Sequence, residues 1–367
     1  MICSKSHQYS IGNMAPLTMK AALFKEYGAP VVIEDVPIPT PTGREVLVRV
    51  KAASLCHSDL TIIAGALGHA PLPFIVGHEA ISVVEALGPD AAAYGLNVGD
   101  MVGAPLWHGM CLECSECRHH GPDFCPKRTM KGLTSPGFFA EYALVDAAGA
   151  VVIPREYEGL AVPLAPVFCA GITVWDALER ARLRVGETVG IVGAGGLGGL
   201  AARFAQAMGV KVVALDIHDA QLEAFKADGS ADEVVNTRGV AAEELIPKVA
   251  SLNGGRLLDA VIVTTGALAG YHTAMSIVRT EGKVVAVGLP EADLAVRVAV
   301  LCNRAVSLIG SKVPGQASAQ KCVDFCLRKK IFSNVYPRNF RLDDLNEMIQ
   351  LMKEGQVHEG RMIVQFE

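Results

Sequence analysis

Four cysteines crowd into one fifteen-residue stretch, CLECSECRHHGPDFC, as Cys111, Cys114, Cys117 and Cys125. Such a cluster could be a disulfide knot, a redox centre or a metal clamp. Disulfides belong to oxidising compartments, and a thiol redox pair needs two sulfurs rather than four. Four thiolates at C-x2-C-x2-C-x7-C spacing instead complete the tetrahedral shell of Zn²⁺. A site closed by four protein ligands has no open position for substrate, so it is structural, and its metal affinity becomes folding energy for a polar loop. The competing reading, unrelated surface cysteines, does not account for the tight spacing.

Three further ligand types lie far apart: Cys56 in SLCHSDL, His78 in FIVGHEA and Cys169 in APVFCAGITVWDAL. Taken singly, each has an ordinary reading, since buried cysteines are common and a lone histidine is often a satisfied core residue. Together they make a Cys2His set, which would leave one tetrahedral position for water or substrate. A third chemistry is coded after ETVGIV, where GAGGLGGL carries G-x-G-x-x-G as Gly193, Gly195 and Gly198, with Gly196 and Leu197 between. A strand precedes this turn and a helix follows it. That context suits a dinucleotide, whose pyrophosphate would rest on the helix N-terminus. Asp216, about 20 residues on, suits the ribose hydroxyls and would repel a 2′-phosphate, so NAD is favoured over NADP.

The elements that must position these groups come in two textures. Residues 19 to about 155 hold short Val- and Ala-rich runs, such as EVLVRVKAASL and AEYALV, between PTG, GPD and NVGD turns. This is the pattern of a β-rich domain. After Pro163 helical spacing begins, and strands alternate with helices: ETVGIVG, LGGLAARFAQAMG, KVVALD, HDAQLEAFKADG, DEVVN, LLDAVIVTTG and GKVVAVG. The alternation predicts right-handed crossovers and a parallel sheet. From about 310 the pattern ends in a helix, LDDLNEMIQLMKEGQ, and a strand, RMIVQF. Cys169 falls at the junction of the two textures, where a metal would face a nicotinamide across a cleft.

The 367 residues suffice for about two domains, and a core of that size needs no disulfide staples. A net charge of −5 without a basic block argues against a nucleic-acid surface. No apolar run approaches the ~20 residues that span a bilayer. Residues 1–18 are polar and lack the apolar stretch of a signal peptide, so they read as a flexible extension and the expected compartment is the cytoplasm. Cys302, Cys322 and Cys326 have no chemical partner in the pattern and are expected to be buried packing.

Read jointly, CHSDL, GHE, the four-cysteine loop, GFFAEY, LAPVFCAGITVWDAL, GAGGLGGLA and GRMIVQF resemble a zinc-dependent alcohol dehydrogenase of the medium-chain dehydrogenase/reductase family, nearest the yeast-type microbial pattern. The resemblance runs from Met19 to Glu367. It implies an α/β fold with a GroES-like catalytic domain over 19–168 and 310–367 and a doubly wound Rossmann domain over 169–309. It implies two zinc ions per chain and NAD(H), with a small alcohol or carbonyl compound as substrate. The catalytic zinc would be held by Cys56, His78 and Cys169. Glu79 resembles the glutamate near that metal, Asp59 the carboxylate that orients the histidine ligand, and Ser58 the hydroxyl that takes the alcohol proton. His57 and Arg361 resemble residues near the cofactor pyrophosphate. A tetramer is implied, with a dimer as the alternative, and its seam is expected around GKVVAVG and residue 300.

The chain departs from that pattern in two places. Thr61 stands where many relatives have a histidine that finishes the proton relay, which predicts a slower or more pH-dependent proton step. Leu67 and Leu106 stand near the positions where yeast-type enzymes narrow the pocket with tryptophan, although Trp107 is adjacent and could swing in. The wider pocket predicts an alcohol bulkier than ethanol, such as a secondary, aromatic or terpenoid one. Two alternatives remain at this stage: a carbonyl reductase with the same active site, and a non-catalytic nucleotide-binding relative.

Overall fold

The protein is described by a computed structural model covering residues 18–68, 71–357 and 360–367. The expectation of a flexible extension over 1–18 lies outside those residues except for Thr18, which opens the first strand, Thr18–Phe24.

One half is antiparallel. The long strand Glu45–Ser54 has Ala80–Leu87 on one flank, Ile363–Gln365 from the C-terminus on the other, and Tyr142–Asp146 pairing with its first half. Met101–Gly103 and Val151–Ile153 extend the sheet. Alternation along Glu45–Ser54 sends Val46, Val48 and Val50 into the core, as expected when one face is buried. A second sheet joins Val32–Pro37, Thr18–Phe24 and Phe74–Ile75.

The other half is a six-stranded parallel sheet. Its order is Glu233–Asn236, Lys211–Asp216, Thr188–Val192, Leu258–Val263, Val278–Ala286, Ser307–Gly310. Thr188–Val192 and Leu258–Val263 are buried at every position because helices cover both faces. Strand order reverses between these two central strands. In doubly wound sheets the ligand crevice opens at that point, beyond the carboxyl ends of the strands. The α/β fold with a β-rich domain and a doubly wound sheet is thus the observed one.

One core joins the halves. Ile81, Met101 and Ile153 of the β-rich half pack with Phe168, and the same cluster continues through Val174 to Val189 and Phe204. Trp175, Phe204 and Phe325 bring three helices together, Ala170–Ala181, Gly196–Ala207 and Gln316–Lys329. Their ring centroids lie 5.1 to 6.3 Å apart. Cys322 and Cys326 are fully buried in this core. Cys302 departs from the expected burial. It is exposed on the short helix Val298–Arg304, which presents no buried residue.

Candidate metal centres and cofactor turn

The structure gathers Cys56, His78 and Cys169 from three separate segments, with Glu79 beside them. One donor atom from each of the four lies within 4.8 Å of the others. Cys56 ends the loop after Glu45–Ser54 and precedes the helix His57–Ile63; His78 and Glu79 precede Ala80–Leu87; Cys169 precedes Ala170–Ala181. Asp59 is fully buried and locks the set. One of its oxygens lies 2.8 Å from His78 Nδ1, and the other accepts the Cys56 N–H at 3.0 Å. His78 Nε2 is therefore the nitrogen left to ligate, a usual carboxylate–histidine arrangement.

The electrostatics of the pocket favour a cation. A hydrogen bond from Cys169, reinforced by His78 and Arg361, holds the Cys56 thiol well below its ordinary range, and Cys169 is pushed up in turn. Burial pushes Glu79 up to about 7 against the pull of Arg361. Glu79 Oε2 accepts from Arg361 Nη2 at 2.5 Å, while its buried Oε1 has no partner. Two soft thiols, an oriented imidazole and an orphaned carboxylate oxygen are donors that fit Zn²⁺.

The second cluster is the four-cysteine lobe, again with one atom from each cysteine within 4.8 Å of the rest. Cys111 Sγ lies 3.9 Å from Cys117 Sγ and 3.5 Å from Cys125 Sγ. These gaps are far too long for a disulfide. They match the ~3.8 Å between sulfurs around a tetrahedral Zn²⁺ with bonds of about 2.3 Å. Backbone N–H groups of Cys111 and Cys117 point at Cys125 Sγ and Cys114 Sγ, and those of Glu113 and Cys114 pull Cys111 down to about 6. Burial, with hydrogen bonds to Cys114 and Cys125, pushes Cys117 up to about 12, so the four sulfurs share their protons unequally until a cation displaces them.

At the crevice, Gly193 turns the chain at φ 105°. A Cβ on Gly198 would lie 1.9 Å from the Gly193 carbonyl oxygen, so helix and strand could not pack with any side chain there. Gly195 caps the helix Gly196–Ala207 without a side-chain bond, and a Cβ on it would meet nothing. That open space before free helix N–H groups fits an incoming phosphate. Leu197 is half-buried behind the turn. Asp216 binds the turn through Ala194 N–H at 2.7 Å and also accepts from Ile217 and His218 N–H groups.

Arg361 connects the two chemistries. Its Nη2 reaches Glu79, Ser54 Oγ and the Leu55 carbonyl, and its Cδ would lie 3.7 Å from a Cβ on Gly196. Ser54, and Asn334 whose carbonyl accepts the Arg361 N–H, are supports that sequence reasoning missed; neither belongs to a spaced motif. His57 is exposed and Ser58 half-buried on the first turn beside Cys56. Thr61 donates its hydroxyl to the His57 carbonyl at 3.1 Å.

Of the pocket residues, Leu67 is 39% exposed on the turn after His57–Ile63, and Leu106 is buried. Trp107 is committed elsewhere, which corrects the expectation that it could swing into the pocket. Its indole N–H donates to the Val313 carbonyl at 2.9 Å, and the Arg128 and Lys312 cations lie 4.4 and 5.2 Å from its ring. It packs with Met110, Cys117 and Cys125 in the lobe.

Residues 42–155 match the family model described as "Alcohol dehydrogenase GroES-like domain", and residues 196–328 match that described as "Zinc-binding dehydrogenase". An alcohol dehydrogenase of Geobacillus stearothermophilus is 34% identical over 94% of this chain and 99% of its own. One from Rhizobium meliloti is 33% identical over 95% and 99%. Among solved structures, the alcohol dehydrogenase of Aeropyrum pernix aligns with a TM-score of 0.84 at 29% identity, covering 95% of this chain and all of that one. Acetophenone reductase from Geotrichum candidum, solved with NAD, aligns at 0.82 and 25% identity over 96% and 99%. Near-complete matches at both ends, over a fold that assembles these donors, mean that the chain belongs to the zinc-binding alcohol dehydrogenases of the medium-chain dehydrogenase/reductase family and is an oxidoreductase.

Proposed function

We propose that the protein interconverts an alcohol bulkier than ethanol and its aldehyde or ketone, using zinc and NAD(H). The observation that carries this reading is Arg361, which pairs with Glu79 beside the Cys56–His78–Cys169 set and lies next to the Gly-rich turn, its Cδ standing 3.7 Å from where a Cβ on Gly196 would be. One side chain next to both the donor set and the turn supports a reaction across the cleft between them.

When bound, zinc supplies Lewis acidity toward the substrate oxygen, and the nicotinamide gives or takes the hydride. Cys56, His78 and Cys169 would hold the metal, and Asp59 keeps the imidazole oriented. Ser58 takes the proton of the substrate hydroxyl and passes it toward solvent past the exposed His57. The burial of Cys56, His78 and Glu79 keeps water from their side of the cleft. Asp216 already carries a negative charge where a 2′-phosphate would lie, which supports NAD over NADP.

Leu67, exposed where the resemblance has an indole, supports a wide pocket, whereas Leu106 packs in the lobe with Trp107; the likeness to acetophenone reductase favours a ketone as the oxidised partner. A panel of alcohols with either cofactor tests this. The expected result is a higher kcat/KM for secondary or aromatic alcohols than for ethanol, with NAD preferred. A preference for ethanol over every larger alcohol would contradict it.

A further inference from the structure

A cavity of about 420 Å³ opens on the β-rich half, between the three-stranded sheet and the loop 131–137. None of the catalytic donors lines it. Its walls are mostly apolar, with Leu23, Phe74 and Leu133 among them; Lys131, His108 and Glu45 are its ionisable side chains apart from Tyr142, and Thr134 and Ser135 add hydroxyls. That size and lining are those of small-molecule sites, which measure about 300–1,000 Å³.

Lys131 is the unusual member. It is 2% exposed, donates to the Leu144 carbonyl at 2.9 Å and lies 5.2 Å from the Phe138 ring. Among the described residues it has no ion-pair partner. Glu45 pulls on it electrostatically but makes no direct ion pair, its carboxylate being held by the Thr42 N–H and hydroxyl and by His108 Nε2. An ammonium buried without a counter-ion is costly, and burial accordingly depresses Lys131 to about 7. A largely apolar cavity thus holds one buried lysine that has no direct ion pair among the described residues.

We propose that this cavity is a second, non-catalytic site for an amphipathic monocarboxylate. The acid head pairs with the Lys131 ammonium, and the alkyl body lies on Leu23, Phe74 and Leu133. A single buried cation matches one negative charge, and apolar walls match an alkyl rather than a sugar or nucleotide body.

The test uses the zinc-loaded full-length protein, titrated calorimetrically with octanoate and with octanamide. Octanoate is expected to bind at least about tenfold more tightly, since a charge-assisted contact replaces a neutral one. Lys131→Met should abolish that preference and Lys131→Arg keep it, with alcohol turnover unchanged in both. Crystals of the parent grown with ω-bromooctanoate locate the ligand even where a variant does not fold, and bromine scattering is expected beside Leu23 and Phe74. Equal binding of acid and amide, an unaltered preference in Lys131→Met, or bromine only in the catalytic cleft or between two copies of the chain would each overturn the proposal.

Discussion

At the scale of single residues, the chemistry divides into what spacing reveals and what only folding reveals. The lobe cysteines and the glycines of the turn act within one local segment, so their types and intervals already carry their role. Cys56, His78 and Cys169 lie far apart in sequence and were legible as a set only because each is a soft or borderline ligand with a conspicuous neighbourhood. The support given by Ser54 to the Arg361 guanidinium and by the Asn334 carbonyl to the Arg361 backbone N–H was not legible, because a hydroxyl or a backbone carbonyl becomes specific only once folding places its donor against it. The same holds for Trp107. Its proximity in sequence to Leu106 suggests a pocket residue, but both side chains pack in the lobe cluster and the indole N–H donates to the Val313 carbonyl.

Thr61 carries a prediction at this scale. Its hydroxyl bonds back to the His57 carbonyl, as mid-helix threonines often do, and is engaged within its own helix rather than in a relay. Thr61→His should raise the rate of the proton-dependent step and flatten its pH dependence, by about tenfold, less than the ~10²–10⁴-fold of a complete general acid–base contribution because only the last leg of the relay is added. Superimposable pH–rate profiles for the variant and the parent would show that the relay does not need this position.

At the scale of elements, strands and helices were well marked where one face repeats. Gly196–Ala207 and Asp219–Ala227 follow the predicted helices, and Lys211–Asp216 and Glu233–Asn236 the predicted strands. Gln316–Lys329 was missed, although Ala319, Cys322, Val323 and Cys326 recur at helical spacing and form its buried stripe. Ala242–Leu252 was also missed; Pro247 inside it reads as a breaker until the sheet supplies the packing that overrides it.

The element with the clearest unreported task is the segment 311–315, where the chain leaves the parallel sheet. Lys312 forms an ion pair with Asp123 of the lobe and lies 3.9 Å from the Phe124 ring. Val313 takes the Trp107 N–H, and Asp176 accepts from the Ser311 hydroxyl at 2.7 Å. The four-cysteine lobe is therefore fastened to the connection between the two halves. Lys312→Met is predicted to destabilise the protein by about 1–3 kcal/mol, the cost of stranding a largely buried charge-assisted bond, and to speed zinc loss from the lobe. Denaturant unfolding and chelator-monitored zinc release measure the two effects. Parent-like values in both would mean that the lobe does not depend on this contact.

At the scale of the whole molecule, the α/β architecture was legible because alternation and sheet burial are global patterns. The docking of the halves was not, since the shared core through Phe168 uses ordinary apolar residues with no distinguishing spacing. Assembly also belongs to this scale. Ser307–Gly310 is an edge strand of the parallel sheet, and Leu308 on it is 39% exposed, with Val298 69% and Leu289 79% exposed nearby. An uncovered apolar edge is a template for pairing. The protein is predicted to be an oligomer through this edge, and Leu308→Lys to shift it toward smaller species. Light scattering at tens of micromolar decides; a parent mass of 38.7 kDa, that of one chain, would exclude the edge as a seam.

On the proposed function, each of the two donor sets, one open and one closed, holds zinc, and only the first does chemistry. Elemental analysis of the parent and of Cys56→Ala, alongside alcohol-dependent NADH formation, tests it most directly. The account predicts about two zinc ions per chain with turnover in the parent, and about one ion without turnover in the variant. A parent that oxidises alcohols while holding only the ion of the lobe, or a variant that loses a zinc and keeps its rate, would contradict it.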